Sequence, residues 1–421
     1  MNNAFLKLAG TAFLLASVSA AARDFAVTDF GAMPNDAGLD TAAIQRALDE
    51  AAAAGGGRVV VSGGTFRSGA LFLRQGVEFH VAAGATLLGS NRIEDYPRAP
   101  TRVEGRRQEW RVALLNAANL TGVRVTGAGV VDGNGILFWA AFWQRRKENP
   151  KCTNLEVERP RLMFLDSCRD VRIDGLTFRD SGFWNLHLYR CRDVTIDGVT
   201  IKAPDSGPIR GPSTDGIDLD SCRDVVVRRT SISVGDDCIA LKGTKGPHAD
   251  QDADSPPVEN ILIEDCTFGD GAGLVTCGSE ATLVRNVTVR RCKLTGPNNV
   301  LSLKLRPDTP QRYEDILVED IEVAVPNGGR ILKVQPWSQF FDLAGEAPPR
   351  SHIKNVTVRN VRGTIGSIGT LLTHDTATIE GFTLENIDVK AADAKLVVGK
   401  NVDLTVRDAT VNGAPLERSV K

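Results

Sequence analysis

A short motif recurs along the chain and constrains the fold more than any other feature of the sequence. It begins at Cys168 as C-R-D-V-R-I-D-G-L-T-F, and the same frame returns at Cys191, Cys222 and Val258. Further copies start at Leu120, Val284, Tyr313, Ile353 and Ile379. The steps between the middle copies are 23, 31, 36, 26 and 29 residues. The repeat therefore predicts a solenoid built from coils of unequal loop length.

Apolar and polar residues alternate within each copy, which is the period of a β-strand, and Asn, Asp or Gly bounds each copy. Short strands that recur without intervening helices predict an all-β fold, a single-stranded right-handed parallel β-helix. A β-propeller would need a longer and more regular period. Leucine-rich repeats are disfavoured because the L-x-x-L-x-L pattern is absent.

The N-terminal part of the chain carries two signals of its own. Lys7, the apolar run 8–18 and the small residues 19–22 are typical of a secretory signal peptide, so we expect residues 1–22 to be removed and the protein to be periplasmic or extracellular. Residues 23–421 then form the β-helix domain. Asp40 is the predicted N-cap of a helix over 41–54 that covers the N-terminal end of the solenoid, and Gly55–Gly57 ends it.

Net charge and hydropathy argue against two kinds of partner, nucleic acid and the interior of a membrane. The chain has 50 Lys and Arg against 52 Asp and Glu, a formal charge of −2. This balance offers no basic surface for nucleic acid, and no segment after residue 22 is apolar enough for membrane insertion. The sequence does not indicate an oligomeric state.

The eight cysteines follow the repeat. Cys168, Cys191 and Cys222 share the first position of the frame, and Cys266 and Cys292 share the ninth. Equivalent positions on neighbouring coils stack about 4.8 Å apart. We favour a ladder of buried free thiols, although this spacing also permits disulfides between coils. No C-x-x-C pair occurs, and the five His are scattered, so no metal site is predicted.

Two acidic segments are separated by one coil. Residues 213–220 read S-T-D-G-I-D-L-D, and residues 235–242 read G-D-D-C-I-A-L-K. Aligning Ile217 with Ile239 stacks Asp215 on Asp237 and places Asp236 beside them. Repulsion among three close carboxylates raises at least one pKa, which suits the acid–base chemistry of glycoside hydrolysis. Two alternatives stay open: hydrogen bonding of Asp within turns, and a calcium site.

The residues around these aspartates resemble glycoside hydrolase family 28, the polygalacturonase and rhamnogalacturonase-like pectinases. The similar segments are 213–215 (S-T-D), 235–237 (G-D-D), 29–32 (D-F-G-A), 127–135 (G-A-G-V-V-D-G-N-G), 159–161 (R-P-R) and 183–187 (F-W-N-L-H). The resemblance spans about residues 24–390. It implies the β-helix fold, a pectic poly- or oligosaccharide substrate and no cofactor.

The resemblance also implies roles for the aspartates. Asp236 takes the position of the general acid, and Asp215 and Asp237 take those of the groups that activate water. The family inverts the anomeric centre, so we expect a gap of roughly 6.5–9.5 Å between acid and base.

Two positions depart from the family pattern. Ala272 stands where the family has the His of G-H-G, and Ser302 stands where it has the Arg of R-I-K. Lys304 is kept, and Arg306 lies on the same face of a strand, so both are predicted substrate-binding residues for a uronic acid. The alternative is that both are solvated charges of an edge strand.

Two further polar residues are predicted to bind substrate. His187, in the segment W-N-L-H, stacks on Asp218 in the repeat frame, and Glu280 lies near the same surface. For His187 a structural role is an equal alternative. Trp337, Phe340 and Phe341 are candidates for a sugar-stacking platform or for packing of their loop.

Three function classes therefore compete. The first is an inverting glycoside hydrolase acting on a galacturonate-containing pectic substrate. The second is a polyuronate lyase or epimerase that uses a basic residue and, usually, calcium. The third is a non-catalytic carbohydrate-binding β-helix, which the departures at Ala272 and Ser302 favour and the three aspartates oppose.

Overall fold

Each copy of the repeat forms strands that stack in parallel on the equivalent strands of the next coil. The computed structural model describes residues 23–204 and 208–421. Ile173 pairs with Ile196, and Ile196 pairs with Val227, in the register that the repeat predicts. Within the described residues, 31 strands join one continuous sheet, which confirms the predicted β-helix. The predicted signal peptide, residues 1–22, lies outside the described residues and stays a prediction.

The coils present three faces, here named sheets A, B and C. Sheet A contains Asp24–Ala26, Gly57–Val61, Val77–Val81, Arg124–Gly127, Arg169–Asp174, Arg192–Asp197, Arg223–Arg228, Val258–Glu264, Leu283–Leu294, Arg312–Ala324, Ser351–Leu371, Ala377–Val398 and Val402–Val411. Sheet B contains Thr65–Ser68, Thr86–Gly89, Val130–Asp132, Thr177–Arg179, Thr200–Ala203, Ser231–Val234 and Thr267–Phe268, and continues into later parts of the long strands.

Sheet C carries the residues of interest. It contains Leu71–Phe72, Leu115–Ala118, Met163–Asp166, Leu186–Tyr189, Ile217–Asp220, Ile239–Lys242, Val275–Cys277, Asn299–Leu305, Arg330–Pro336 and Glu417–Val420, with the ends of two long strands between the last two. The remaining short elements are the strand Ala414–Pro415 and the 3₁₀ helices Val27–Phe30, Ile93–Asp95 and Ala249–Gln251.

The core is formed by apolar side chains that occupy the same position of the repeat in successive coils and stack on one another. Ile173, Ile196 and Val227 have no exposed surface, because each is covered by the same position of the coils above and below. Burial of one such side chain stabilises the fold by about 1.5–3 kcal/mol. Asp170 and Asp193 take left-handed backbone conformations, with φ of 48° and 56°, which Asp tolerates in turns. These two aspartates are exposed residues of sheet A, unlike the buried Asp215.

A helix covers the first coils, as predicted. Helix α1, Thr41–Ala53, buries Ile44, Ala47, Leu48 and Ala51 against the core. Its predicted N-cap is wrong in one respect. The Asp40 side chain makes no capping hydrogen bond and accepts instead from the Met33 amide at 2.8 Å.

Two elements that the repeat did not predict project from the solenoid. Helix α2, Ile136–Glu148, begins with a continuous apolar run over residues 136–143, which hides the helical period. The antiparallel hairpin Arg98–Val103 and Arg106–Arg111 turns at Glu104 and Gly105, with φ of 46° and 74°. Both contribute side chains to the cleft described below.

All eight cysteines are buried free thiols, as the favoured interpretation predicted. None of the helices that the structure describes combines the length and apolarity needed to cross a lipid bilayer.

Candidate active site

Three aspartates meet where two neighbouring coils enter sheet C. Ile217 pairs with Ile239, so Asp215 lies beside Asp237, and the Gly216 amide donates to the Asp237 carbonyl at 2.9 Å. One carboxylate oxygen each of Asp215, Asp236 and Asp237 lies within 4.8 Å of the other two. Asp215 and Asp237 are buried and Asp236 is half-buried. The predicted convergence of these residues is therefore present.

Two lysines distinguish the three carboxylates. Lys304 Nζ lies 2.5 Å from Asp237 Oδ2, and the Thr276 hydroxyl donates to Asp237 Oδ1 at 2.8 Å. Lys242 Nζ lies 3.3 Å from Asp215 Oδ2. Among the described residues Asp236 has no lysine at such a distance, and its Oδ1 accepts the Asp237 amide at 3.0 Å. Asp236 is therefore the carboxyl group with least stabilisation of its charge.

The electrostatics favour a proton on Asp236. Burial raises its pKa, and the neighbouring Asp237 raises it further, while Lys304 acts in the opposite direction. Burial also raises the pKa of Asp215 well above its usual range, with repulsion from Asp218 adding to the effect. Burial alone would lower the pKa of Lys242, but the carboxylates around it raise that pKa well above normal. Burial and repulsion within the cluster thus favour the protonated forms of Asp236 and Asp215, while the surrounding carboxylates keep Lys242 charged.

The expected gap between acid and base is not found. Carboxylate oxygens within 4.8 Å of one another are closer than the roughly 6.5–9.5 Å usual for inverting enzymes. The cause is the solenoid itself, since neighbouring coils stack about 4.8 Å apart and carry these side chains at equivalent positions.

The predicted residues Glu280 and Arg306 lie in the same cleft but contact other partners. Arg306 is buried and donates two hydrogen bonds to Asp308, each 2.8 Å long. Glu280 Oε1 lies 3.6 Å from Lys245 Nζ and 3.9 Å from Arg306 Nη1. Burial opposes ionisation of Glu280, yet Lys245 and the nearby cations hold its pKa below the usual range.

His187 does stack on Asp218, but beneath the cleft floor. Its side chain has no exposed surface, and the rings of Phe164 and Trp184 lie 5.0 and 4.9 Å away. Arg161 Nη1 lies 2.7 Å from its Nδ1, and burial lowers its pKa to about 3. The structure therefore places His187 in a neutral buried layer and not among the side chains that line the cleft.

The cleft has a volume of about 400 Å³, the size of a small-ligand site. Its aromatic side chains are Phe142, Trp143, Trp184, Trp337 and Phe340. Trp337 and Phe340 thus lie where the predicted platform requires, whereas Phe341 does not line the cleft. Lys304 Nζ lies 4.9 Å from the Trp337 ring centre.

The two departures from the family pattern lie beside the aspartates. The Ala272 amide donates to the Asp236 carbonyl at 2.9 Å, so the backbone of residue 272 is in contact with that of the proposed acid. Ser302 is buried on sheet C between Thr276 and Lys333, and its hydroxyl has no partner within the described part of the chain. Neither residue supplies a charge to the cleft.

Several cleft residues were missed from the sequence. Lys242 ends the segment G-D-D-C-I-A-L-K, and its pairing with Asp220 in the 22-residue register was available as a signal. Glu104 and Lys245 offered none, because they come from a hairpin and a loop outside the repeat. Lys245 Nζ lies 3.7 Å from Glu104, whose pKa is raised by burial and by Glu280.

Comparison with known proteins identifies the family. The sequence profile of Glycosyl hydrolases family 28 matches residues 83–410. A probable polygalacturonase of Vitis vinifera is 32% identical over 235 residues, a match that spans 54% of this chain and 45% of that protein. The polygalacturonase of Medicago sativa is 26% identical over 384 residues, spanning 86% of this chain and 81% of that protein.

Solved structures show the same fold. The hyperthermoactive exopolygalacturonase from Thermotoga maritima superposes with a TM-score of 0.74 at 21% identity, covering 93% of this chain and 92% of that one. The polygalacturonase from Erwinia carotovora ssp. carotovora gives 0.62 at 19% identity, covering 96% and 97%. The profile match and these structures confirm the predicted resemblance, fold and enzyme class: the chain belongs to the Glycosyl hydrolases family 28.

Proposed function

We propose that this protein is an inverting glycoside hydrolase that cleaves pectic polysaccharide or oligosaccharide containing galacturonate. The observation that carries the proposal is the unequal treatment of three clustered aspartates. Lys304 pairs with Asp237 at 2.5 Å and Lys242 pairs with Asp215 at 3.3 Å, whereas Asp236 has no lysine at such a distance among the described residues. An acid beside ionised carboxylates is what glycosidic cleavage requires.

In the proposed mechanism Asp236 donates its proton to the glycosidic oxygen as the bond to the anomeric carbon breaks. Asp215 and Asp237 accept a proton from a water molecule over the cluster, and the resulting hydroxide attacks the anomeric carbon on its opposite face. The bond to the leaving oxygen breaks and a bond to the water oxygen forms. The proton that Asp215 and Asp237 took from water then returns to Asp236 through solvent, which restores the enzyme, so that water supplies the hydroxyl and the hydrogen of the two products in the net reaction. The aromatic walls of the cleft hold the sugar rings.

The lysines argue against calcium at this cluster. The three carboxylates lie close enough to hold a cation. The ammonium groups of Lys242 and Lys304, however, already lie within ion-pair distance of Asp215 and Asp237. A divalent ion would have to approach both lysines at short range. This disfavours a calcium-dependent lyase or epimerase, and three coupled aspartates disfavour a binding-only protein.

Product analysis tests the proposal. The purified protein is incubated with a panel of pectic oligosaccharides, with and without calcium, and the released sugars are identified by proton NMR during the first turnovers. We expect free reducing ends whose anomeric configuration is inverted, and no product that absorbs in the ultraviolet. Retained configuration would overturn inversion. A calcium-dependent unsaturated product would support the lyase, and binding without any product would support the carbohydrate-binding protein.

Export completes the proposal. The basic residue, apolar run and small residues of 1–22 support secretion through a cleaved signal peptide. Expression in a bacterial host, followed by N-terminal sequencing of the exported protein, should give a start between Ala21 and Arg23. An intact Met1 on exported protein would contradict it.

A further inference from the structure

The cationic side chains that line the cleft differ in whether they form an ion pair with a carboxylate of the protein. Six line it: Arg146, Arg210, Lys242, Lys245, Lys304 and Arg306. Four of these already contact carboxylates of the protein, namely Lys242 with Asp215, Lys245 with Glu104 and Glu280, Lys304 with Asp237 and Arg306 with Asp308. Their positive charge is therefore largely neutralised before any substrate binds.

Arg146 and Arg210 are different. Neither forms an ion pair with a carboxylate in residues 23–204 and 208–421. Arg210 Nη2 donates to the Gly235 carbonyl at 3.0 Å, and Arg146 Nη1 donates to the Cys152 carbonyl. A guanidinium has five N–H donors, so as far as the described residues go each keeps most of its donors and its charge for another acceptor.

The exposed Trp143 donates a hydrogen bond to Arg210 and shares a helix face with Arg146. Trp143 Nε1 donates to the Arg210 carbonyl at 2.7 Å, and Arg146 lies three residues further along α2, on the same helix face. Trp143 keeps 37% of its surface exposed and lines the cleft with both arginines. An aromatic side chain that lines the same cleft as two guanidinium groups suits a sugar ring that carries a carboxylate.

We propose that Arg146 and Arg210 bind the carboxylate of a galacturonate unit whose ring lies on Trp143. Lys304 and Arg306 then hold the protein's own carboxylates in place and do not select the substrate. Gly235 directly precedes Asp236, and consecutive residues lie about 3.8 Å apart, so this subsite is within about one sugar of the cleaved bond. The inference rests on the proposed function, which it deepens by naming the residues that select a uronic acid.

The balance of charges favours binding of the substrate carboxylate at Arg146 and Arg210 over binding at Lys304. A substrate carboxylate beside Lys304 would join Asp237 and leave the site with an excess negative charge. Beside Arg146 and Arg210 it would neutralise unmatched positive charge through hydrogen bonds in which both partners are ionised. A hydrogen bond to a charged group is worth about 1.5–3 kcal/mol, which corresponds to about 10- to 100-fold in affinity.

Binding to an inactive variant tests the proposal. Asp236→Asn is expected to slow turnover about 10²–10⁴-fold, and isothermal calorimetry then measures the affinity of this variant for trigalacturonate and for the neutral methyl ester of trigalacturonate. Adding Arg146→Gln or Arg210→Gln should weaken binding of the acid about 10- to 100-fold and change binding of the ester by less than about twofold. Arg145→Gln is the matched control, because Arg145 is on the same helix but pairs with Glu156 away from the cleft.

The outcomes separate this inference from the proposed function. Equal losses for acid and ester, no loss for the acid, or no binding of trigalacturonate to the Asp236→Asn protein would each overturn the arginine subsite. If the native enzyme still releases sugars from pectic oligosaccharides in that case, the proposed function stands. If it releases none while trigalacturonate binds through both arginines, the subsite stands and the proposed function fails.

Discussion

Lys304 Nζ lies 2.5 Å from Asp237 Oδ2, although Lys304 and Asp237 are on coils separated by another coil of sheet C. The long side chain spans the intervening strand and brings an ammonium group to one member of the adjacent pair Asp236 and Asp237. Two neighbouring carboxyl groups thereby acquire different environments. This asymmetry supports one group as proton donor and the other as proton acceptor.

Replacement of Asp236 should abolish most activity without unfolding the protein. Asn keeps the shape of the side chain but has no proton to give to the leaving oxygen, and general acid catalysis contributes about 10²–10⁴-fold. We expect Asp236→Asn to lower kcat on the best pectic oligosaccharide by that factor, measured as reducing ends released per second.

Asp193→Asn is the matched control, because Asp193 is an exposed residue with left-handed φ in the strand Arg192–Asp197 of sheet A, and Asn tolerates that conformation. It should keep wild-type kcat. Thermal unfolding of both variants should stay near that of the native protein. If Asp236→Asn kept wild-type turnover while folded, Asp236 would not be the acid.

Activity should decline as pH rises, because the acid must carry a proton. Burial and Asp237 raise the pKa of Asp236, whereas Lys304 lowers it. Lys304→Met removes the lowering influence, so the alkaline limb of the kcat/KM profile should move to higher pH. We also expect kcat to fall, since Asp237 loses the ammonium group that holds it.

The same profile for Lys293→Met provides the control, since Lys293 is exposed and pairs with Glu322 on the surface. That profile should match the native one. An alkaline limb of Lys304→Met that stays in place or moves to lower pH would show that Lys304 does not act on the acid.

The repeat in the sequence predicted the contacts that recur from one coil to the next. The pairing of Ile217 with Ile239 follows from a constant strand frame, and the meeting of Asp215 with Asp237 follows from that pairing. The buried thiols of Cys168 and Cys191 follow from the same frame. In each case a sequence offset converts directly into a spatial neighbour, because a solenoid maps chain distance onto coil number.

Residues outside the repeat could not be placed in this way. Glu104 reaches the cleft from a hairpin, and Arg146 reaches it from α2, both insertions between strands. Nothing in a strand period encodes how an insertion folds back over a sheet. His187 was placed correctly on its strand, but the alternation did not show that Phe164 and Trp184 would cover it.

Truncation of the stacked core should destabilise the protein without altering its chemistry. Ile196 is fully buried between Ile173 and Val227 on adjacent coils. Ile196→Ala should lower the free energy of unfolding by about 2–5 kcal/mol, measured by denaturant titration. Thr195→Ala, the neighbour on the outer face, should change it by less than about 0.5 kcal/mol. Equal effects would contradict the assignment of the inward face.

Thiol titration should distinguish the ladder from disulfides. All eight cysteines are buried and unpaired, so the native protein should react with almost none of an exposed-thiol reagent. After denaturation without reductant, the same protein should release eight thiols. A smaller number would show that neighbouring coils are joined by disulfides.

Asp218 should make stability depend on pH. Burial raises the pKa of Asp218 from its ordinary 3.8 to about 7, against the opposing effect of Lys242. Between these values the folded state holds the proton more tightly than the unfolded state, so the contribution of Asp218 to stability falls as pH rises through this window.

Asn cannot ionise, and Lys242 keeps Asp215 as its partner in Asp218→Asn. We therefore expect the variant to gain stability relative to the native protein as pH rises from about 4 to 7. Denaturant unfolding of the variant and of the native protein at four pH values measures this difference. A difference that stays constant with pH, or grows toward acid, would show that Asp218 is ionised throughout and that Lys242 fully compensates its burial.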